Sequence, residues 1–240
     1  SADTMGSANT DGSLDTYATT ANTTAGFSII TYTGTGSEGT IAHGLGATPN
    51  YVIVKNRDAS EGWIIDSSII SGNSNGTFHF NTDAEYTGGS NQFGTHSSTN
   101  ITIKTSGNIN TDGQKYVAYV FAQKQGYSKF GSYTGNGSTD GAFVYLGFKP
   151  AWVMVKATDV DEWRIYDHKR ANAFNVINVR LKAHTTAAES QDDNECDFLS
   201  NGVKWRSNSG GVNSDGQKYI YMAFAEHPFV SSKGVPVTAR

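Results

Sequence analysis

Asp112-Gly-Gln-Lys-Tyr-Val-Ala-Tyr-Val-Phe-Ala122 returns as Asp215-Gly-Gln-Lys-Tyr-Ile-Tyr-Met-Ala-Phe-Ala225, identical at seven of eleven positions. The echo extends outward. Thr31-Tyr-Thr-Gly-Thr-Gly36 matches Ser132-Tyr-Thr-Gly-Asn-Gly137, and Pro49-Asn-Tyr-Val-Ile-Val-Lys55 matches Pro150-Ala-Trp-Val-Met-Val-Lys156. Trp63 and Asp66 pair with Trp163 and Asp167. The offset is 101 early in the unit and 103 at the repeated strand, so a loop between Asp66 and Asp112 has changed length. The pattern reads as a tandem duplication of one β-rich module. A repeated scaffold without a repeated reactive cluster argues for display or adhesion rather than catalysis.

Composition agrees with that reading. The 240 residues hold 27 Gly and only 4 Pro. Gly, Ser, Thr and Asn gather between short apolar runs, as strands joined by tight turns require. Six strands are expected in the first module: 27–32, 51–55, 63–66, 77–81, 100–104 and 116–122. Eight are expected in the second: 130–133, 143–146, 152–156, 163–167, 176–181, 197–199, 203–206 and 219–225. This is the signature of an all-β chain of two tandem β-sandwich, jelly-roll-like modules. The best helical stretch is 167–184, and even that holds Asn175 and Asn178 among β-branched residues.

The expected boundaries are 25–125 for the first module and 126–229 for the second, followed by a C-terminal tail at 230–240. Residues 1–24 are small and polar and cannot build a core alone. They read as an extended polar arm or as the end of a preceding module. The link near Gln123 to Ser128 is short enough to predict modules that pack rigidly.

The repeated strand carries a second message. A sheet wet on one face alternates apolar and polar residues, whereas Tyr116 to Ala122 and Tyr219 to Ala225 are apolar throughout. Both faces need cover, which points to a homo-oligomer, a homotrimer first.

Charge narrows the partners. A net charge of -4 and a pI near 5.8 disfavour nucleic acid. No apolar run has the length of a membrane helix, and the first residues lack a signal-peptide pattern. The lone Cys196 excludes an internal disulfide. No cofactor motif is found. The six histidines lack zinc spacing and read as surface or turn residues. Asp159, Asp161 and Glu162, and then Asp192, Asp193, Glu195 and Asp197, offer oxygen ligands, but without a calcium-loop pattern they read as solvated acidic loops. Asp66 and Asp167, at equivalent places after a tryptophan, read as structural rather than as a glycosidase pair. Trp63 and Trp163 read as core anchors. Trp205, between Lys204 and Arg206 and beside the loop 207–214, is the freer tryptophan. Trp205, Arg206, Asn208 and Asn213 are therefore the candidate ligand-contact residues, with no catalytic and no metal residues assigned.

The motifs Gly26-Phe27 to Tyr32-Thr-Gly-Thr-Gly36, His43-Gly-Leu-Gly-Ala-Thr-Pro49, Val52-Ile-Val-Lys-Asn-Arg57, Lys129 to Gly137, Gly147 to Lys156 and Tyr221 to Phe229 resemble structural proteins of tailed bacteriophages of marine and cyanobacterial hosts. Gly234-Val-Pro-Val-Thr-Ala-Arg240 resembles the natural C-terminus of such proteins. The resemblance implies a virion component, the distal part of a tail fibre or similar appendage. It implies other virion proteins as partners and a host-surface glycan or protein as ligand. It transfers no catalytic residue.

Overall fold

The computed structural model describes residues 8–66, 68–71, 76–89, 91–170 and 175–228; the expected tail at 230–240 lies outside the described residues. The chain is all-β and divides into two compact units. The first takes in the chain up to Phe80 together with Tyr86–Gln123. The second takes in Asn81–Glu85 and the chain from Lys124 onward.

In the first unit, β1 (Thr16–Asn22), β2 (Phe27–Thr33), β4 (Tyr51–Asn56), β5 (Trp63–Asp66), β6 (Gly76–His79), β7 (Thr87–Gly88) and β9 (Lys115–Phe121) form one antiparallel sheet. Its order is β1-β2-β9-β4-β5-β6-β7. The strands β3 (Gly39–Ala42) and β8 (Asn100–Ile103) pair separately. Ile41, Ile101 and Ile103 from this pair share a core with Ile30, Val52, Val54, Ile64, Ala118 and Val120 of the large sheet. Two four-residue helical turns, α1 (Ser68–Ser71) and α2 (Gly107–Asn110), complete the unit.

The second unit contains β10 (Ser128–Thr134), β11 (Phe143–Tyr145), β12 (Pro150–Ala157), β13 (Arg164–Asp167), β14 (Ile177–Lys182), β15 (Ser190–Leu199), β16 (Gly202–Trp205) and β17 (Lys218–Ala225). They form a nearly closed, barrel-like sheet in the order β10-β17-β12-β13-β14-β15-β16-β11. Its interior holds Val153, Val155, Tyr166, Ile177, Cys196, Phe198, Trp205, Tyr219 and Tyr221. The four strands bearing the repeat keep one order in both units: β2-β9-β4-β5 and β10-β17-β12-β13. The registers agree too, with Tyr32 opposite Tyr116 and Tyr133 opposite Tyr219.

Two expectations are corrected. The polar arm is not separate over its whole length: Thr16–Asn22 forms β1, paired antiparallel with β2. A polar strand suffices there because only Thr16 and Ala18 turn inward, at the sheet's edge. The stretch 167–184 is not helical where described. Ile177–Lys182 is a strand whose Ile177 and Val179 alternate into the core, as β-branched residues favour. The apolar repeated strand also behaves differently in its two copies. In β17, Ile220 and Met222 on the outer face are buried, at 1% and 5% exposure, within the single chain. That face gives no reason of its own for a further subunit. In β9 the outward Val117, Tyr119 and Phe121 stay half-buried, with Phe27 against Phe121 and Trp63 stacked on Tyr119.

Candidate functional site

The duplicated residues build the same latch twice, and two of the sequence candidates fall inside it. In the first unit the Tyr32 hydroxyl donates to the Ile109 carbonyl at 2.6 Å. Its ring stacks on Tyr116 at 5.0 Å. In the second, Tyr133 donates to the Val212 carbonyl at 2.6 Å and stacks on Tyr219 at 5.0 Å. Burial raises the Tyr32 and Tyr133 pKa values well above the ordinary range, so both hydroxyls remain donors. A buried asparagine closes each turn. Asn110 Oδ1 accepts from Thr35 N at 2.9 Å, while Nδ2 donates to Ser37 O and Lys104 O at 2.7 and 2.8 Å. Asn213 Oδ1 accepts from Asn136 N at 3.0 Å, while Nδ2 donates to Ser138 O and to Asn136 Oδ1 at 2.8 and 2.9 Å. Gly34 and Gly135 are needed for the close approach. A Cβ on either would sit 2.3 or 2.2 Å from the carbonyl oxygen of Thr111 or Ser214.

Asn213 is therefore scaffold, fully buried with its amide engaged, and not a ligand contact. Trp205 is corrected as well. Its exposure is 0%, it stacks on Tyr133 and meets Tyr166 edge-on at 5.6 Å. Strand alternation turns it inward between outward-facing Lys204 and Arg206. Asn208 is exposed and Arg206 half-buried. The structure thus separates the four candidates into two core residues and two surface ones.

Arg206 belongs to an open recess of about 350 Å³ lined by Thr139, Val176, Asp197 and Arg206. The guanidinium is held by Asp197, with Nε and Nη2 each 2.6 Å from Oδ2, and by Asp140 at 3.5 Å. Lys204 Nζ lies 2.7 Å from the same Asp140 oxygen. The Lys204 hydrogen bond and charge hold the exposed Asp140 carboxyl below its ordinary pKa. Phe143 on β11 lies opposite Lys204 on β16, and Lys204 lies opposite Asp197 on β15. Directly paired antiparallel residues share a face, so Phe143 and Tyr145 stand on the same face of the sheet as Lys204 and Asp197. Phe143 and Tyr145 are 45% and 59% exposed. The alternation of Phe143 and Tyr145 around inward Val144 was the sequence signal for this surface.

The other groups singled out in the sequence serve the framework. Asp66 Oδ2 accepts from Ser68 N and the Ser68 hydroxyl, and Asp167 Oδ1 accepts from Lys169 N and Arg170 N at 2.9 Å; each caps the turn after its strand. Trp163 is buried and Trp63 half-buried. Lys55 donates to the Ala59 and Glu61 carbonyls, and Lys156 to those of Ala157 and Asp159. Burial lowers Lys156 to a pKa of about 8. Asp159 is exposed on its bend, as a solvated loop requires, but the other described acidic side chains of these stretches are paired. Asp161 and Glu162 meet Arg164, and Glu162 also pairs with Lys182. Glu195 lies on a strand, 2% exposed, 2.7 Å from Arg180. The side chains of Asp192 and Asp193 lie outside the described residues.

Two histidines are not surface residues either. The His96 side chain is 2% exposed, with Nε2 3.5 Å from Asp66 Oδ2. His43 is fully buried; its Nδ1 accepts from Leu45 N at 3.1 Å and Nε2 faces Ser97 O at 3.3 Å. This is the neutral tautomer with the proton on Nε2. Burial lowers the His43 pKa, against the upward pull of Ser97, and His96 lowers it further. The unfolded chain then binds more protons as pH drops below 6.5, so stability present above that pH is lost into acid. Urea midpoints measured across that range should fall, and His43→Gln should flatten the slope; an unchanged slope would remove His43 as its source.

No curated protein and no solved structure matches the chain. A family model, described as a domain of unknown function, DUF7483, matches residues 1–228. With two latched β units spanning that match, the chain belongs to the DUF7483 family.

Proposed function

We propose that this chain is a non-enzymatic structural protein of a virion. In this reading it forms the distal part of a tail fibre or similar appendage used in host-surface adhesion, and its units are jelly-roll-like sandwich modules. The carrying observation is how the duplicated residues are used. Tyr32, Tyr116 and Asn110, like Tyr133, Tyr219 and Asn213, hold backbone and one another. Duplication has multiplied a scaffold, as a spacer or display protein needs, and left the exposed surfaces to diverge. The resemblance of the quoted motifs to phage structural proteins supports the location. The half-buried apolar row Val117, Tyr119 and Phe121 supports self-association, with a homotrimer as the expected state.

Electron microscopy of virions labelled with an antibody to this chain tests the location. Signal at the tips of tail appendages is expected. Signal spread over the shell would replace this reading with a capsid decoration protein. Release of new reducing ends from host envelope polysaccharide by the purified protein would overturn its non-enzymatic part. The oligomer expectation fails if the native mass is that of one 25.7 kDa chain.

A further inference from the structure

We infer that β11 and the recess beside it form a binding platform for a neutral glycan chain, a reading that rests on the adhesion function proposed above. Among the described residues the exposed large hydrophobic side chains are Tyr17, Phe143, Tyr145 and Val160. Two of these stand on one three-residue strand, on one face, at the end of the strand order. Residues two apart on a strand are separated by roughly 6.6 Å, a spacing suited to successive pyranose rings. Exposed aromatics of this kind carry a cost in water that a stacked apolar sugar face would relieve.

The rings are held in place. A Cβ on Gly202 would lie 2.9 Å from Cε2 and Cζ of Phe143. The bare Gly202 backbone therefore makes a floor on which the Phe143 ring rests. Lys129 Nζ sits 5.1 Å from the Tyr145 ring centroid and donates to the Tyr145 carbonyl at 2.9 Å. One side of Tyr145 is thereby braced. Preorganised rings lose little side-chain entropy on binding.

Charge selects the class of sugar. At the recess, Lys204 and Arg206 are matched by Asp140 and Asp197 within 3.5 Å. The cations are already neutralised, so an anionic group gains no unpaired charge there. Hydroxyl groups are served better, because Asp197 accepts, Arg206 donates and the Thr139 hydroxyl does both. Phe143, Lys204 and Asp197 are in register across three neighbouring strands. At about 4.8 Å per strand this row spans roughly 10 Å, enough for two or three sugar units between the recess and the rings.

The test uses the full chain on an array of neutral and anionic oligosaccharides, followed by titration of the best neutral binder in calorimetry. Binding to neutral oligosaccharides, little changed between low and high salt, is expected. Tyr145→Ala and Phe143→Ala should each weaken it at least about tenfold, with thermal midpoints unchanged, since both side chains are exposed. Tyr17→Ala, on the other unit, should leave it intact. Three results overturn the platform: no neutral glycan bound, binding unaffected by both β11 variants, or binding confined to anionic glycans and abolished by salt. Glycan binding by a chain absent from virion appendages would keep the platform and remove the appendage reading. The reverse pattern would remove the platform alone.

Discussion

Trp205→Ala should destabilise the second unit by about 3–5 kcal/mol, the usual cost of truncating a fully buried large aromatic. The indole fills the barrel interior between Tyr133 and Tyr166 and packs in the same core as Val203, Val212 and Tyr219. Tyr133 is also the donor that holds Val212, so the cavity would loosen the latch as well as the core. Hydrogen exchange read peptide by peptide separates the units. Faster exchange should appear in β10, β16 and β17 while β2, β4 and β9 keep their protection. A stable variant with altered ligand contacts alone would return Trp205 to the surface role its neighbours Lys204 and Arg206 suggested.

Glu195→Ala should be as damaging for a different reason. Glu195 Oε1 lies 2.7 Å from Arg180 and 3.7 Å from Arg164, and Oε2 accepts from the Tyr166 hydroxyl at 3.0 Å. Removing the carboxylate leaves two largely buried guanidinium groups facing a void. Breaking a buried ion pair from one side costs about 3–5 kcal/mol. Glu195→Gln keeps a hydrogen-bond acceptor and should recover part of that loss. A urea midpoint for Glu195→Ala within error of the parent would show that the cluster contributes nothing to stability.

Every strand expected from apolar runs has a counterpart, because burial and β-branching act locally along the chain. The strands missed are those without a sustained apolar run: β1, β3 and the two-residue β7. β1 is polar and forms by pairing with β2. β3 gains its place from β8, about sixty residues away. The charged half of β15 hides Glu195 because its partners, Arg164 and Arg180, come from β13 and β14. The latch was half legible. Asn110-Thr-Asp112-Gly and Asn213-Ser-Asp215-Gly repeat two residues upstream of the matched strand, but the contacts the two copies share, to Thr35 and Asn136, lie more than seventy residues back. Trp205 misled because its charged neighbours face outward while strand geometry turns the indole inward.

The central claim is that the duplicated signature is scaffold, with the tyrosine pair and the buried asparagine in the same roles in both units. Asn110→Ala and Asn213→Ala, each followed by hydrogen exchange in the full chain, test it most directly. Losing the buried amide removes three hydrogen bonds from the turn in either unit, at about 0.5–1.5 kcal/mol each. Each variant should therefore speed exchange in its own unit by a comparable amount. If either substitution leaves its own unit as protected as before, the two copies are not one latch used twice.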